Sequence, residues 1–434
     1  MTEFTQIGLI GIFVLILLFF SRLAVAYAMA IVGFLGYWYL TNFDSALTLI
    51  SRDFYSQFTN YGLALVPLFI FIGFIAFYAG VSSKLYDMAN KFIGRVRGGL
   101  AMATVGACTA FGAVSGSSNA TAATMGTIGY PEMKRYNYGD KLATGALASG
   151  GGIGALMPPS IVLIVYGILT QLSIGKLFIA AILPAFVISA LFILAIMIYC
   201  FFAPHQGPKA DSYPLREMLY SALQIWETIL VFCLVMGGLF FGLFTPTKAG
   251  AVGSFVLLVI VVVQGKLSWK NFLDAVNDTV KTSCMVIMLV TGATIFGHFL
   301  ALSRIPMELA SLVSALPWPA WAIMAAICFI YLVSGCFIDA LALITLTIPI
   351  FYPVVTNLGY DPVWFGIIIV LITQMGVITP PVGINVYIIK GVAPLVPLQQ
   401  IFIGVLPFLL ALIAGTGLMI AFPEIVTFLP ELIQ

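Results

Sequence analysis

Apolar residues run along this chain in long unbroken blocks, as at 256–263 and 367–372. Transmembrane strands would alternate apolar and polar positions over about ten residues, and this chain does not. Blocks near 7–20, 23–40, 62–81, 142–171, 177–202, 219–244, 248–264, 281–302, 362–390 and 399–422 have the length of membrane helices, about ten in all. The stretch 41–60 differs. It carries Asp44, Arg52 and Asp53, with aromatics at helical spacing, and predicts a helix lying in the membrane interface. The stretch 98–130 differs again, being apolar but rich in Gly, Ala, Ser and Thr. Lys84, Lys91, Arg95 and Arg97 precede it, and Lys134, Arg135 and Lys141 follow. Basic flanks face the cytoplasm, so this segment is expected to enter and leave on one side, as a re-entrant helical hairpin. A second hairpin is expected over 317–356.

Composition agrees with the pattern. Of 434 residues, 62% are hydrophobic and 8% charged, with mean hydropathy +1.13. A soluble domain carries about 25% charged residues, so a soluble fold, disorder and nucleic-acid binding are excluded as the main reading. The 18 basic residues report orientation. With the N-terminus outside, about 14 fall on inner loops, among them Arg22, Lys266, Lys270, Lys281 and Lys390. Arg52, Lys176, Lys248 and Arg304 fall outside. The first block lacks the basic leader and cleavage site of a secretory signal and reads as a retained helix. The six cysteines are scattered, form no CxxC pair, and read as reduced core residues. His205 and His298 share no metal-ligand spacing, and His298 reads as a packed, hydrogen-bonded histidine. There is no GxxxxGK[ST] and no HExxH, so neither nucleotide hydrolysis nor intramembrane catalysis is expected.

The chain also repeats itself. Met157-Pro158-Pro159-Ser160 recurs as Thr379-Pro380-Pro381-Val382, and Leu177–Pro184 as Ile401–Pro407. Ser115-Gly116 matches Ser334-Gly335, and Tyr130-Pro131 matches Tyr352-Pro353. The offset stays near about 220 residues and the order is kept. The span count gives the copies opposite orientation, a transporter arrangement in which two halves rock about a midplane site. The expected units are 1–61 (scaffold helices and interfacial arm), 62–202 (first repeat), 203–280 (scaffold and arm) and 281–434 (second repeat). Each repeat holds a span, a hairpin, a broken span and a span.

The breaks carry the chemistry. In 149–159 four glycines precede two prolines, which remove two amide donors and push their neighbours out of helical geometry. Gln374–Pro381 repeats this. Unwound backbone at midplane frees carbonyls, which with hydroxyls are hard-oxygen ligands for Na⁺. The first hairpin tip, 112–121, is small and polar. Its carbonyls could close a cation cage with those of Gly154 and Met157. Ser117, Ser118, Asn119 and Thr121, with the helix start after them, could face an anion. The second tip holds Asp339, an acid between two long apolar stretches. A carboxylate there is a functional candidate by default, holding a cation, orienting the tip, or capping the next helix. No arginine falls at midplane, so bound Na⁺ and helix dipoles must balance an anionic substrate.

These motifs, with Phe244-Thr245-Pro246-Thr247-Lys248-Ala249 and the Gly383 that follows the second Pro-Pro pair, resemble the large membrane (M) subunit of TRAP transporters, the tripartite ATP-independent periplasmic transporters. The resemblance covers nearly the whole chain. Members usually carry an acid where this chain has Lys248, at a peripheral position. The resemblance implies an all-α, elevator-type, inverted-repeat membrane fold, and Na⁺-coupled import of an organic acid: a C4-dicarboxylate, another carboxylate or sialic acid. It implies two partners, a small four-helix membrane subunit (Q) and a periplasmic binding protein, and a place in the bacterial inner membrane. It implies two Na⁺ sites, one on Ser115, Gly154, Met157 and Pro159, the other on Gly335, Gly376 and Thr379. Around them the substrate set is taken as Ser117, Ser118, Asn119, Thr121, Asp339, Pro158 and Pro380. The second functional reading is a stand-alone Na⁺/dicarboxylate symporter of related fold.

Overall fold

In the computed structural model, residues 3–19, 21, 23–315 and 317–432 are described, and among them every regular element is helical. Helices begin where the local chemistry allows. Asn42, Ser117, Ser160, Ser173, Thr245, Ser268, Asp339 and Asp361 each sit at an N-cap, and each accepts a backbone N–H with its side-chain oxygen.

The first half runs α1 (Glu3–Phe19), α2 (Val25–Leu40), α3 (Phe43–Phe58), α4 (Leu65–Tyr78), α5 (Val81–Ile93), α6 (Gly99–Ser115), α7 (Ser118–Arg135), α8 (Asp140–Leu156), α9 (Ile161–Thr170) and α10 (Ile174–Phe202). The second runs α11 (Leu215–Leu223), α12 (Trp226–Phe240), α13 (Pro246–Val263), α14 (Trp269–Leu302), α15 (Ile305–Ala315), α16 (Ala320–Gly335), α17 (Ala340–Asn357), α18 (Pro362–Gly376), α19 (Ile384–Val392), α20 (Leu398–Ala421) and α21 (Glu424–Glu431).

Among the described residues, seven helical stretches are long and apolar enough to cross a membrane, or eight if the pair α11 and α12, bent by 49°, counts as one. The count of ten differs for three reasons. Helices α1 and α2 hold 17 and 16 residues, short of a full span. The stretch 362–390 divides into helices of 15 and 9 residues. Conversely α17, placed by the sequence in a hairpin, is long enough alone.

Three further differences concern helix extent. Lys281, expected in a loop, lies three turns inside α14, because Ala275 and Thr279 extend that helix's buried face backwards. Its 34 residues make it about 51 Å long, against about 30 Å of hydrocarbon. The short helices α15 and α21, of 11 and 8 residues, were not anticipated, being too brief to read as spans. Arg22, assigned to an inner loop, lies outside the described residues.

The first broken span is the centre of the molecule: 89% of the apolar window in 140–170 is buried, against 33% for α13. In α18, Val363 through Gly376 are all buried. Helix α8 meets α20 with almost no side chain between them, since a Cβ on Gly145 would lie 2.1 Å from the Gly404 carbonyl oxygen. A smaller core joins α1, α2 and α14 around Met29, Phe296 and Phe299.

Some of the few charges are paired across elements. Glu227, 1% exposed, accepts from Lys84 of α5, from Gln264 at 2.8 Å and from Lys266 at 3.4 Å. Burial and the neighbouring Lys84 hold Lys266 below the ordinary lysine range. His298 Nδ1 lies 2.7 Å from Asp53 Oδ2, so α3 is tied to α14. The linker after α10 straps the base of α6 and α8. Gly98 N–H donates to the Gly207 carbonyl at 2.9 Å, Gly139 N–H to Gln206 at 2.9 Å, and Tyr136 bonds Asp211. The Asp211 carboxylate pushes the Tyr136 phenol up.

Candidate functional site

The chain leaves α6 at Ser115 and turns through Gly116, whose φ of +61° is left-handed. Ser117 then caps α7. Only glycine suits this turn, because a Cβ at Gly116 would lie 2.2 Å from the Pro159 carbonyl oxygen. The Gly116 carbonyl accepts from Ile161 N–H at 3.1 Å, which fastens the tip to the break between α8 and α9. Ser115 Oγ and Thr121 Oγ1 are 2.8 Å apart. A Cβ on Gly154 would lie 2.3 Å from Thr121 Oγ1 and 2.8 Å from the Ser117 carbonyl oxygen. Met157 packs beside Gly112, and Ser160 caps α9 while donating to the Ala155 carbonyl. Ser115, Gly154, Met157 and Pro159 therefore meet in one oxygen-rich knot around the first tip.

The second knot is built differently. The Gly335 and Gly376 backbones touch: a Cβ on Gly376 would lie 2.5 Å from the Gly335 carbonyl carbon. Thr379 folds back on α18, its Oγ1 donating to Met375 O at 2.6 Å and its N–H to Gly376 O at 2.9 Å. Gly383 N–H reaches Cys336 O at 3.3 Å. Gly335, Gly376 and Thr379 are thus brought together as well. Both Pro-Pro bonds are cis. Pro158 and Pro159 are buried, whereas Pro380 and Pro381 are exposed. Asp339 caps α17, its Oδ1 accepting from Leu341 N–H at 3.0 Å and Ala342 N–H at 3.2 Å.

The two tips share a cavity of about 90 Å³. Gly116, Ser117, Ser118 and Asn119 line it from the first tip, Asp339 from the second, and Ala155 and Val377 from the breaks. Helix α14 closes it with Thr282, Met285 and Val286. A neighbouring cavity of about 370 Å³ shares Ser117, Asn119, Ile161, Thr282 and Met285, and continues along Ile70, Phe74 and Phe77 of α4. Of the substrate candidates, Ser117, Ser118, Asn119 and Asp339 line this space. Thr121 and Pro158 are buried behind the tip, and Pro380 lines neither cavity. Among the described residues no group of three or more His, Cys, Asp and Glu side chains converges.

Two contributors escaped the sequence. Asn385 of α19 is fully buried, and its Nδ2 donates to Ser118 Oγ at 2.9 Å and to the Ala148 carbonyl at 3.1 Å. The second break is thereby bolted to the first tip. An amide in the first turn of a helix that is apolar apart from Lys390 in its last turn, two residues after Gly383, was the available signal. Thr282 gave none, since only the path of α14 brings it to the tips. Gln374, 3% exposed, forms no hydrogen bond among the described residues.

This fold and site define a polytopic helical membrane protein whose two helix breaks and two polar tips enclose one cavity, the class of membrane transporters. A solved structure of the YdaH transporter of Alcanivorax borkumensis shares the fold, with TM-score 0.60, 15% identity, and 89% of this chain and 90% of that one covered. Residues 12–425 match the family described as "Tripartite ATP-independent periplasmic transporter, DctM component". The chain belongs to that family: it is a large permease component of a TRAP transporter, not an enzyme, and a multi-pass protein of the bacterial inner membrane. It is 34% identical to the C4-dicarboxylate TRAP transporter large permease protein DctM of Pseudomonas aeruginosa, over 89% of this chain and 88% of that protein. It is 31% identical to the sialic acid TRAP transporter large permease protein SiaM of Vibrio cholerae, over 96% of each. It is 32% identical to the ectoine TRAP transporter large permease protein TeaC of Halomonas elongata, over 85% and 86%.

Proposed function

We propose that this chain is the membrane-translocating subunit of a Na⁺-coupled importer of an organic acid. A periplasmic binding protein delivers the acid, and a small four-helix membrane subunit completes the permease. One observation carries this reading: both polar tips, both breaks and α14 border a single cavity. Helices α6–α7 and α16–α17 are read as re-entrant hairpins. The stretches 62–202 and 281–434 are read as inverted repeats flanked by scaffold at 1–61 and 203–280. One Na⁺ rests on Ser115, Gly154, Met157 and Pro159, the other on Gly335, Gly376 and Thr379. Each cation neutralises charge the apolar surroundings cannot, so the loaded site can cross the membrane in an elevator movement against the scaffold. Ser117, Ser118 and Asn119, at the positive end of α7, face the carboxylate.

The test is reconstitution of this chain with its small subunit in liposomes, with the binding protein and labelled acids outside. Uptake is expected to require an inward Na⁺ gradient and the binding protein. Equal uptake with K⁺ replacing Na⁺ would remove the coupling. Uptake by this chain alone, without the binding protein, would remove the tripartite assignment.

A further inference from the structure

We infer that the acid carried by this chain is a monocarboxylate with an apolar, branched or aromatic body, and not a dicarboxylate or a polyhydroxylated sugar acid. The inference rests on the importer reading above and concerns which acid fits the cleft. The polar end of the cleft is formed by the Ser117–Asn119 tip at the start of the 18-residue helix α7 and by the starts of α9 and α17, the last of these already capped by the Asp339 carboxylate. Away from that end, the 370 Å³ cavity runs along Ile70, Phe74, Phe77 and Phe111. Among the described residues lining the two cavities, no lysine, arginine or histidine occurs, and the single ionisable side chain is Asp339.

A second carboxylate on the substrate would have to lie against phenyl rings or beside the Asp339 carboxylate. Both positions penalise it, the first by desolvation without a partner and the second by like-charge repulsion. The hydroxyls of a sugar acid would face the same rings with few partners: beyond the tip, Thr282 and Thr124 are the hydroxyls on offer. An aryl or branched alkyl body buries its surface there instead.

The test uses the permease, this chain with its small subunit, purified in detergent, with three probe acids: 3-phenylpropanoate, succinate and N-acetylneuraminate. Binding is measured by calorimetry in NaCl and in KCl. The expected result is Na⁺-dependent binding of 3-phenylpropanoate, tighter than succinate or N-acetylneuraminate by about tenfold or more. The Phe77→Asn permease should lose about that factor for 3-phenylpropanoate, while its binding of succinate should not weaken. Na⁺-dependent binding of succinate or N-acetylneuraminate as tight as 3-phenylpropanoate overturns this inference and leaves the importer reading standing. A 3-phenylpropanoate preference that Phe77→Asn does not alter also overturns it, because the body then lies elsewhere. Binding of all three acids that ignores Na⁺ overturns the importer reading itself.

Discussion

At the residue scale, the site depends on groups that leave room more than on groups that react. Gly116 combines a left-handed φ with a Pro159 carbonyl oxygen 2.2 Å from where a Cβ would stand. Gly116→Ala should therefore cost about 2 kcal/mol or more and abolish uptake. Gly106→Ala, on the same hairpin with nothing within 4 Å of where a Cβ would stand, should be neutral or raise stability by about 0.5–1 kcal/mol. Thermal unfolding of the two variants in detergent checks the contrast, and equal melting would show that the tip tolerates a side chain. Asp339 illustrates what a residue type cannot convey. The sequence marked it as an expensive carboxylate open to three roles. The structure shows the cap role, in two bonds through Oδ1, on a side chain that also borders the cavity. Glycine and proline positions were legible because they act through the backbone. Asn385 was not, because its partners Ser118 and Ala148 are 267 and 237 residues away.

At the element scale, one contact between distant helices holds the site and another ties helices away from it. Asn385 joins α19 to the first tip and to α8. Asn385→Ala leaves a buried hydroxyl and a buried carbonyl without their donor, a loss of about 1–2 kcal/mol. Asn385→Asp should be worse, since a carboxylate would face the Ala148 carbonyl oxygen. Initial uptake rates against acid and Na⁺ concentration check this. A raised apparent KM for the acid in both variants marks a misplaced tip, and wild-type kinetics would deny Asn385 a positioning role. The second contact is the Glu227 network of α5, α12 and the turn after α13. Glu227→Gln strands two lysine ammonium groups that are partly exposed, so the loss should be moderate, about 2 kcal/mol. Adding Lys84→Met should recover part of it, as read by thermal unfolding. If the double variant is no more stable than Glu227→Gln, the charges are not coupled. The helices themselves followed from the apolar blocks and caps. Their extents did not, because α14 gains twelve residues before Lys281 through contacts at Ala275 and Thr279 that local hydropathy does not register.

At the scale of the whole molecule, α14 and the first tip face each other across the cleft, Thr282 and Met285 on one side and Ser117 and Asn119 on the other. An elevator movement requires these two sides to slide. A bifunctional thiol crosslinker between Ala123→Cys of α7 and Thr282→Cys, which border the same cavity, in a background without the exposed Cys233 and Cys284, should therefore stop uptake, and cleaving the linker should restore it. Undiminished uptake by the linked protein would exclude sliding at this interface. The sequence by itself determined the all-helical membrane class, the two Pro-Pro breaks, the polar tips and the family, because hydropathy, proline and glycine act over a few residues. Only the tertiary structure decided that both tips open on one cavity, that Thr282 and Phe77 line it, and that one Pro-Pro pair is buried while its counterpart is exposed. Those facts depend on which helices cross. A contact such as Gly145 against Gly404, 259 residues apart, is set by the close packing of the whole bundle and by nothing in either local stretch.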